Sequence, residues 1–188
     1  MCGLTMPSKN RIGRVTTRTG DGGNTKLATG RSIGKHESLI RAIGSVDELN
    51  SHIGVLTTVI DEDHQSMLKR IQQALFDIGA VFAMEGEFQP PDLTELEQSS
   101  NALNEELPPL TEFVLPGGGV AASQSHVCRS VCRRAETEVW SIVHEITDAP
   151  VAYLGVARYL NRLSDYFFVL ARTVTLSDEE QWHGPQRD

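Results

Sequence analysis

Apolar residues recur at steps of three and four along almost the whole chain after residue 37. That spacing gives each helix one face to bury, and other helices are the natural partners for it. The longest stripe runs Tyr153, Val156, Leu160, Leu163, Phe167, Leu170 and Val174. Two more run Leu68, Ile71, Leu75, Ile78, Phe82 and Ile40, Ile43, Leu49, Ile53, Leu56, Ile60. Residues 120–146 place Val127, Val131, Ala135, Val139 and Ile142 on one side. A shorter helix is predicted over 92–106, after Pro90-Pro91, with Asp92 or Thr94 near its N-cap. Residues 13–34 differ: Gly13, Gly20, Gly22, Gly23, Gly30 and Gly34 are too many for a helix, and the segment is too cationic for a core strand. The pattern predicts an all-α fold, a bundle of four or five antiparallel helices behind a glycine-rich arm.

Charge narrows the function. The 188 residues hold 17 basic and 25 acidic side chains, a net −8 that argues against a nucleic-acid partner. The acids are concentrated: residues 85–112 carry eight and no base, which reads as a solvated connector. Residues 1–35 carry seven cations against Asp21, so an anionic ligand is allowed at that end. No apolar run approaches the ~18 residues that span a bilayer. Cys2, Cys128 and Cys132 offer neither a disulfide framework nor paired zinc knuckles, which suits the cytoplasm. The Arg-rich start has a transit-peptide composition, but a glycine-rich motif beginning by Thr17 leaves little leader to remove.

Three clusters can carry chemistry. The first is Thr17-Arg18-Thr19-Gly20-Asp21-Gly22-Gly23-Asn24-Thr25, followed by Lys26 and Lys35. Its backbone amides, hydroxyls and ammonium groups suit a polyphosphate, although it matches neither a Walker loop nor the dinucleotide pattern, and a flexible tail with turn glycines has the same spacing. The second places Arg129, Arg133 and Glu136 on one helix face, with Arg134 within reach of Glu138 at i+4. A solvated face with intrahelical ion pairs reads identically. The third is Asn161-Arg162-Leu163-Ser164-Asp165, flanked by Arg158 and Arg172, with Asp47 and Asn50 as a smaller polar pair in an earlier helix. His126, Cys128 and Cys132 lack a fourth ligand, and the two cysteines read as buried apolar thiols; no metal site is expected.

Taken in order, TRTGDGGNTKL, VDELNSHIG, IQQALFDIGA, FVLPGG, CRSVCRRAE and LNRLSD resemble the PduO-type ATP:cob(I)alamin adenosyltransferases, over about residues 16 to 172. The resemblance implies a five-helix, ferritin-like bundle over 16–176, between a leader at 1–15 and a tail at 177–188, assembled as a homotrimer. It implies transfer of the 5′-deoxyadenosyl group of MgATP to the cobalt of cob(I)alamin, with triphosphate released. Thr17, Arg18, Thr19, Gly20, Asp21, Gly22, Gly23 and Thr25 then wrap ATP, with Lys35 near the phosphates. Arg133, Arg134, Glu136 and Asn161 match nucleotide contacts, and Arg129 matches the partner of Asp47 in a salt bridge across the subunit boundary. Phe113 matches an aromatic residue that closes the lower face of the corrin, displacing water and the dimethylbenzimidazole base to leave four-coordinate Co(II). A flavin-dependent reductase and an adenosylcobalamin-dependent mutase are the implied partners. Where the family often reads Arg-Val-Glu-Ala-Tyr-Gly, this chain has Leu39-Ile40-Arg41-Ala42-Ile43-Gly44, so contacts at 39 and 41 are not carried over. A chain that binds both ligands for delivery or sensing, without turnover, is the competing reading.

Overall fold

The computed structural model describes residues 16, 18–176 and 179–185; the predicted leader and Thr17 lie outside them. Five helices follow a short hairpin: β1 (Asn24–Lys26), β2 (Ser32–Gly34), α1 (Ser38–Thr57), α2 (Glu62–Ala83), α3 (Thr94–Glu105), α4 (Val120–Glu145) and α5 (Val151–Thr173). Helices α1, α2, α5 and α4 close into a ring around one core, and α3 lies outside against α5. Leu49, Ile53, Leu68, Ile78, Val139, Leu160 and Leu163 are fully buried there. Truncating any of these leucines to alanine costs about 2–5 kcal/mol, the loss of transfer energy plus a cavity.

The all-α expectation misses the hairpin. Thr25 pairs antiparallel with Ile33, and Leu27 and Ile33 turn one apolar edge inward while Lys26, Arg31 and Lys35 stay exposed. A surface hairpin tolerates the cations that a core strand would not. Its tip is fastened to the end of α2: the Ala28 amide donates to the Ala83 carbonyl at 3.0 Å, and Thr29 and Arg31 donate to the Glu85 carboxylate at 2.6 and 2.7 Å.

Two stripes are rotated from expectation at their starts. Leu39, Ala42 and Val46 are the buried apolar residues of early α1, whereas Ile40 and Ile43 are half-buried. On α4, Cys128 and Cys132 are buried as expected, and Val127 of the expected stripe is 39% exposed. Arg41 explains much of the change in α1. It donates to Glu138 of α4 at 3.1 Å, to the His36 carbonyl at 2.9 Å and to Ser38 Oγ at 2.8 Å, while Ser38 donates to Glu145 at 2.7 Å. The residues at 39 and 41 therefore serve the core and a helix clamp.

The acidic stretch is no mere connector. Leu96 of α3 is buried, and Glu95 and Glu97 pair with Arg70 and Arg162 at 2.8 and 3.5 Å. Leu93 occupies the N-cap position without a side-chain cap, with Asp92 and Thr94 on either side of it. At the Pro-Gly-Gly-Gly sequence, Gly118 and Gly119 have φ of 87° and 108°. A Cβ at 118 would come 2.7 Å from Thr175, and the Gly118 carbonyl accepts the Leu176 amide at 2.9 Å. Glycine lets the start of α4 touch the end of α5. Among the described residues no helix is long and apolar enough to cross a membrane.

Candidate functional site

Three separate places gather the predicted residues. The first is the turn before β1. Arg18 takes a left-handed φ of 59°, and the Asp21 and Gly23 amides donate back to the Arg18 and Gly20 carbonyls at 3.5 and 3.3 Å. A Cβ at residue 20 would lie 2.8 Å from Lys35 Nζ, so the ammonium folds directly over Gly20. The Lys35 amide also donates to the Gly23 carbonyl at 2.9 Å. Antiparallel pairing of Asn24 with Gly34 produces this approach, because it sets the residues before β1 beside those after β2. Asp21, Gly22 and Gly23 are exposed at the turn, and Thr25 is half-buried.

The second place lies between α4 and α5. Glu136 accepts hydrogen bonds from Asn161 Nδ2 and Trp140 Nε1, each at 3.3 Å. All three line a cavity of about 310 Å³ with Arg158, Arg162 and Leu93. Arg133 and Arg134 are exposed on the same helix. Arg134 does not reach Glu138 as expected; it pairs with Glu48 of α1, and Glu138 is engaged by Arg41. Nor do Asp47 and Asn50 form a pair. Asn50 is buried and exchanges amide–carbonyl bonds with Gln72 at 3.2 Å, whereas Asp47 is exposed and its carboxylate has no ion pair among the described residues.

The third is a cavity of about 540 Å³, lined by Leu110, Glu112, Phe113, Pro116, His126, Arg129 and Phe168 among others. Phe113 is 74% exposed, an unusual state for a large apolar side chain beside a cavity. Its backbone is held in place nevertheless. The Trp182 amide donates to the Phe113 carbonyl and the Leu115 amide to the Glu180 carbonyl, both at 2.8 Å. Buried Arg172 secures this strand-like pairing by donating to both Glu179 oxygens, at 2.6 and 3.1 Å, and to the Pro108 carbonyl at 2.9 Å. In the cavity wall, Arg129 Nε donates to His126 Nδ1 at 3.4 Å. Arg129 therefore does not meet Asp47 within one chain. Burial, then the neighbouring Arg133 charge, lowers the pKa of Arg129.

Neither cavity takes a lining residue from the Lys35 turn. Sequence reasoning overlooks Trp140, Phe168 and Trp182. Arg172 carried a signal, since a cation amid Val169, Leu170 and Ala171 of an apolar stripe implies a buried partner. Cys128 and Cys132 are free, buried thiols, and burial pushes Cys128 up to about 12, which leaves it protonated and inert.

Residues 15–174 match the sequence profile of the Cobalamin adenosyltransferase family. The chain is 44% identical over 171 residues to the cobalamin adenosyltransferase of Cupriavidus metallidurans, covering 88% of this chain and 90% of that protein. It is 38% identical over 186 residues to human corrinoid adenosyltransferase MMAB, covering 91% and 72% of the two chains. Its fold superposes with a TM-score of 0.82 on a phenylalanine-to-alanine variant of the PduO-type ATP:corrinoid adenosyltransferase of Lactobacillus reuteri, complexed with cobalamin and ATP. That match is 30% identical and covers 91% of this chain and 100% of the other.

Proposed function

The chain belongs to the cobalamin adenosyltransferase family, and from that premise we propose how its own residues adenosylate cobalamin with ATP as co-substrate. Co(I) of the reduced corrinoid attacks the 5′ carbon of ATP in line, the carbon–oxygen bond breaks, and triphosphate departs with the electron pair. Alignment and charge stabilisation then carry the catalysis, without a protein nucleophile. The Gly20 turn, with Arg18, Thr19, Asp21, Gly22, Gly23 and Thr25, cradles the nucleotide, and Lys35 meets its phosphates. Arg133 and Arg134 stabilise the departing triphosphate, Glu136 and Asn161 orient the nucleoside, and Mg²⁺ enters as the counter-ion of ATP. Thr17 is assigned to the same cradle by the resemblance alone.

Phe113 carries the reading of the corrinoid side. An exposed phenylalanine with a pinned backbone, beside a cavity of about 540 Å³, is suited to press on a large flat ligand and keep water from its lower face. A separate turn and cavity suit an assembly in which one subunit's Lys35 turn faces another's arginines. Asp47, without an ion pair among the described residues, and the half-buried Arg129 then meet across that boundary, in a homotrimer. The functional unit spans 16–176, its free thiols suit the cytoplasm, and a flavin-dependent reductase and an adenosylcobalamin-dependent mutase supply Co(I) and receive the product.

An anaerobic assay with chemically reduced cobalamin and MgATP tests the reaction. Formation of the cobalt–carbon bond, read from the corrinoid spectrum, is expected; folded protein that leaves the spectrum unchanged would sink the proposal. Analytical ultracentrifugation tests the trimer. Leu39 lies in the core and Arg41 in a clamp, and retention of both ligands without turnover in the anaerobic assay would favour delivery or sensing instead.

A further inference from the structure

We propose that His126 is a positioning residue whose neutral imidazole, bare at Nδ1, holds Arg129 in the wall of the Phe113 cavity and makes the enzyme depend on that ring's deprotonation. The proposal rests on the adenosyltransferase reading for its kinetic consequence, but its structural core does not.

His126 is 5% exposed and lies between two cavities: the apolar one beside Phe113 and a polar one of about 110 Å³ with Arg172, Thr175, Glu179 and Glu180 in its wall. A guanidinium has only donors, so the bond from Arg129 Nε can end only on an unprotonated ring nitrogen. The proton of the neutral ring is then on Nε2. With Nε tied to the ring, the four Nη hydrogens of Arg129 remain for another acceptor, and the side chain keeps one orientation. Protonating His126 turns Nδ1 into a donor, cancels the bond and sets two cations against each other inside the wall.

The charged groups facing the ring come from every element packed on it. Arg129 is on α4, Arg172 on α5, Glu179 and Glu180 on the C-terminal segment, and Glu112 is on the far side of the apolar cavity. Arg172 is neutralised by its bidentate pairing with Glu179. Burial first, and Arg129 second, push the histidine pKa below its ordinary value, while Glu179 pulls it back up. The ring is therefore neutral at pH 7 and charges only in more acid solution.

Two readouts test this. In a ¹⁵N-histidine NMR titration of the full-length protein, the signal lost in His126→Phe identifies the residue among six histidines. It is expected as the Nε2–H tautomer with a depressed pKa that rises in Arg129→Met. An Nδ1–H tautomer, or a pKa indifferent to Arg129→Met, overturns the proposal whether or not the protein is an adenosyltransferase. In the pH profile of kcat/KM with supplied Co(I), the wild type is expected to show an acid limb at that same pKa. His126→Asn, which keeps an acceptor near the Nδ1 position, should abolish the limb and retain activity within about threefold; His126→Phe should lose on the order of tenfold or more at every pH. A limb that persists in His126→Asn, or His126→Phe and Arg129→Met losses that multiply in the double variant, contradicts positioning. Correct NMR behaviour without any cobalt–carbon bond formation would instead refute the adenosyltransferase reading.

Discussion

Trp182 lies against Phe113, ring centroids 5.9 Å apart and planes inclined by 60°, while its amide donates to the Phe113 carbonyl. A contact of this kind contributes about 0.5–1.5 kcal/mol beyond burial. Phe113→Ala should therefore slow adenosylation far more when enzyme-bound Co(II) awaits reduction than when Co(I) is supplied. Trp182→Ala should show the same asymmetry, smaller by about tenfold or less. Equal losses in the two assays would remove the role assigned to the phenylalanine.

The Arg172–Glu179 pair is buried on the arginine side, with 4% of that side chain exposed. Glu179→Ala leaves a cation in the interior without its counter-charge, at a cost of about 3–5 kcal/mol. Arg172→Met combined with Glu179→Ala should recover much of the loss. Urea unfolding of the two variants gives the answer.

Glu85 is held below its usual carboxylate pKa by the Thr29 hydroxyl, against the opposing cost of burial, and Arg31 adds to the lowering. A depressed folded-state pKa means the stabilisation is fully present above the unfolded glutamate value and is lost as pH falls through the folded one. The protection of the Ala28 amide, whose N–H reaches across to Ala83, relative to its intrinsic exchange rate at each pH should fall in that acid window. In Glu85→Gln that protection should already be lower at neutral pH and should not fall further in acid.

Arg41→Glu would bring a carboxylate against Glu138 where a salt bridge now stands. The pair is half-exposed, so its own contribution is about 1 kcal/mol or less, and repulsion adds to the loss. Thermal melts should register a lower Tm, with kcat unchanged at temperatures where the variant is folded. A large fall in kcat would place Arg41 in the site.

The chain has two tryptophans, in different places. Trp140 donates to Glu136 in the cavity shared with Asn161. In a Trp182→Phe background, MgATP alone should change the remaining indole fluorescence, and Trp140→Ala should raise the KM for ATP by about tenfold. No spectral response at saturating nucleotide would move the base elsewhere.

The helices were legible because their stripes are long: Tyr153 to Val174 covers nearly all of α5. Direction within a stripe was harder. Leu39 and Ile40 are adjacent and both apolar, so only the Arg41 clamp decides which turns inward. The hairpin escaped because each strand has three residues, too few for an alternation to register. Glu136 and Asn161 were readable as motif positions, but their meeting with Trp140 required α4 and α5 to be packed. The Phe113 wall was hidden for another reason. It joins residues as far apart as Thr111 and Gln181, and no periodicity encodes a contact across 70 positions.

Residues 179–182 leave the ribosome after all five helices, yet they supply the partners of Phe113 and Leu115. A nascent chain can thus complete its hydrophobic core while the backbone partners of Phe113 and Leu115 are still missing. Packing of the core and fastening of Phe113 are completed at different moments of synthesis, and the second waits for residues 179–182.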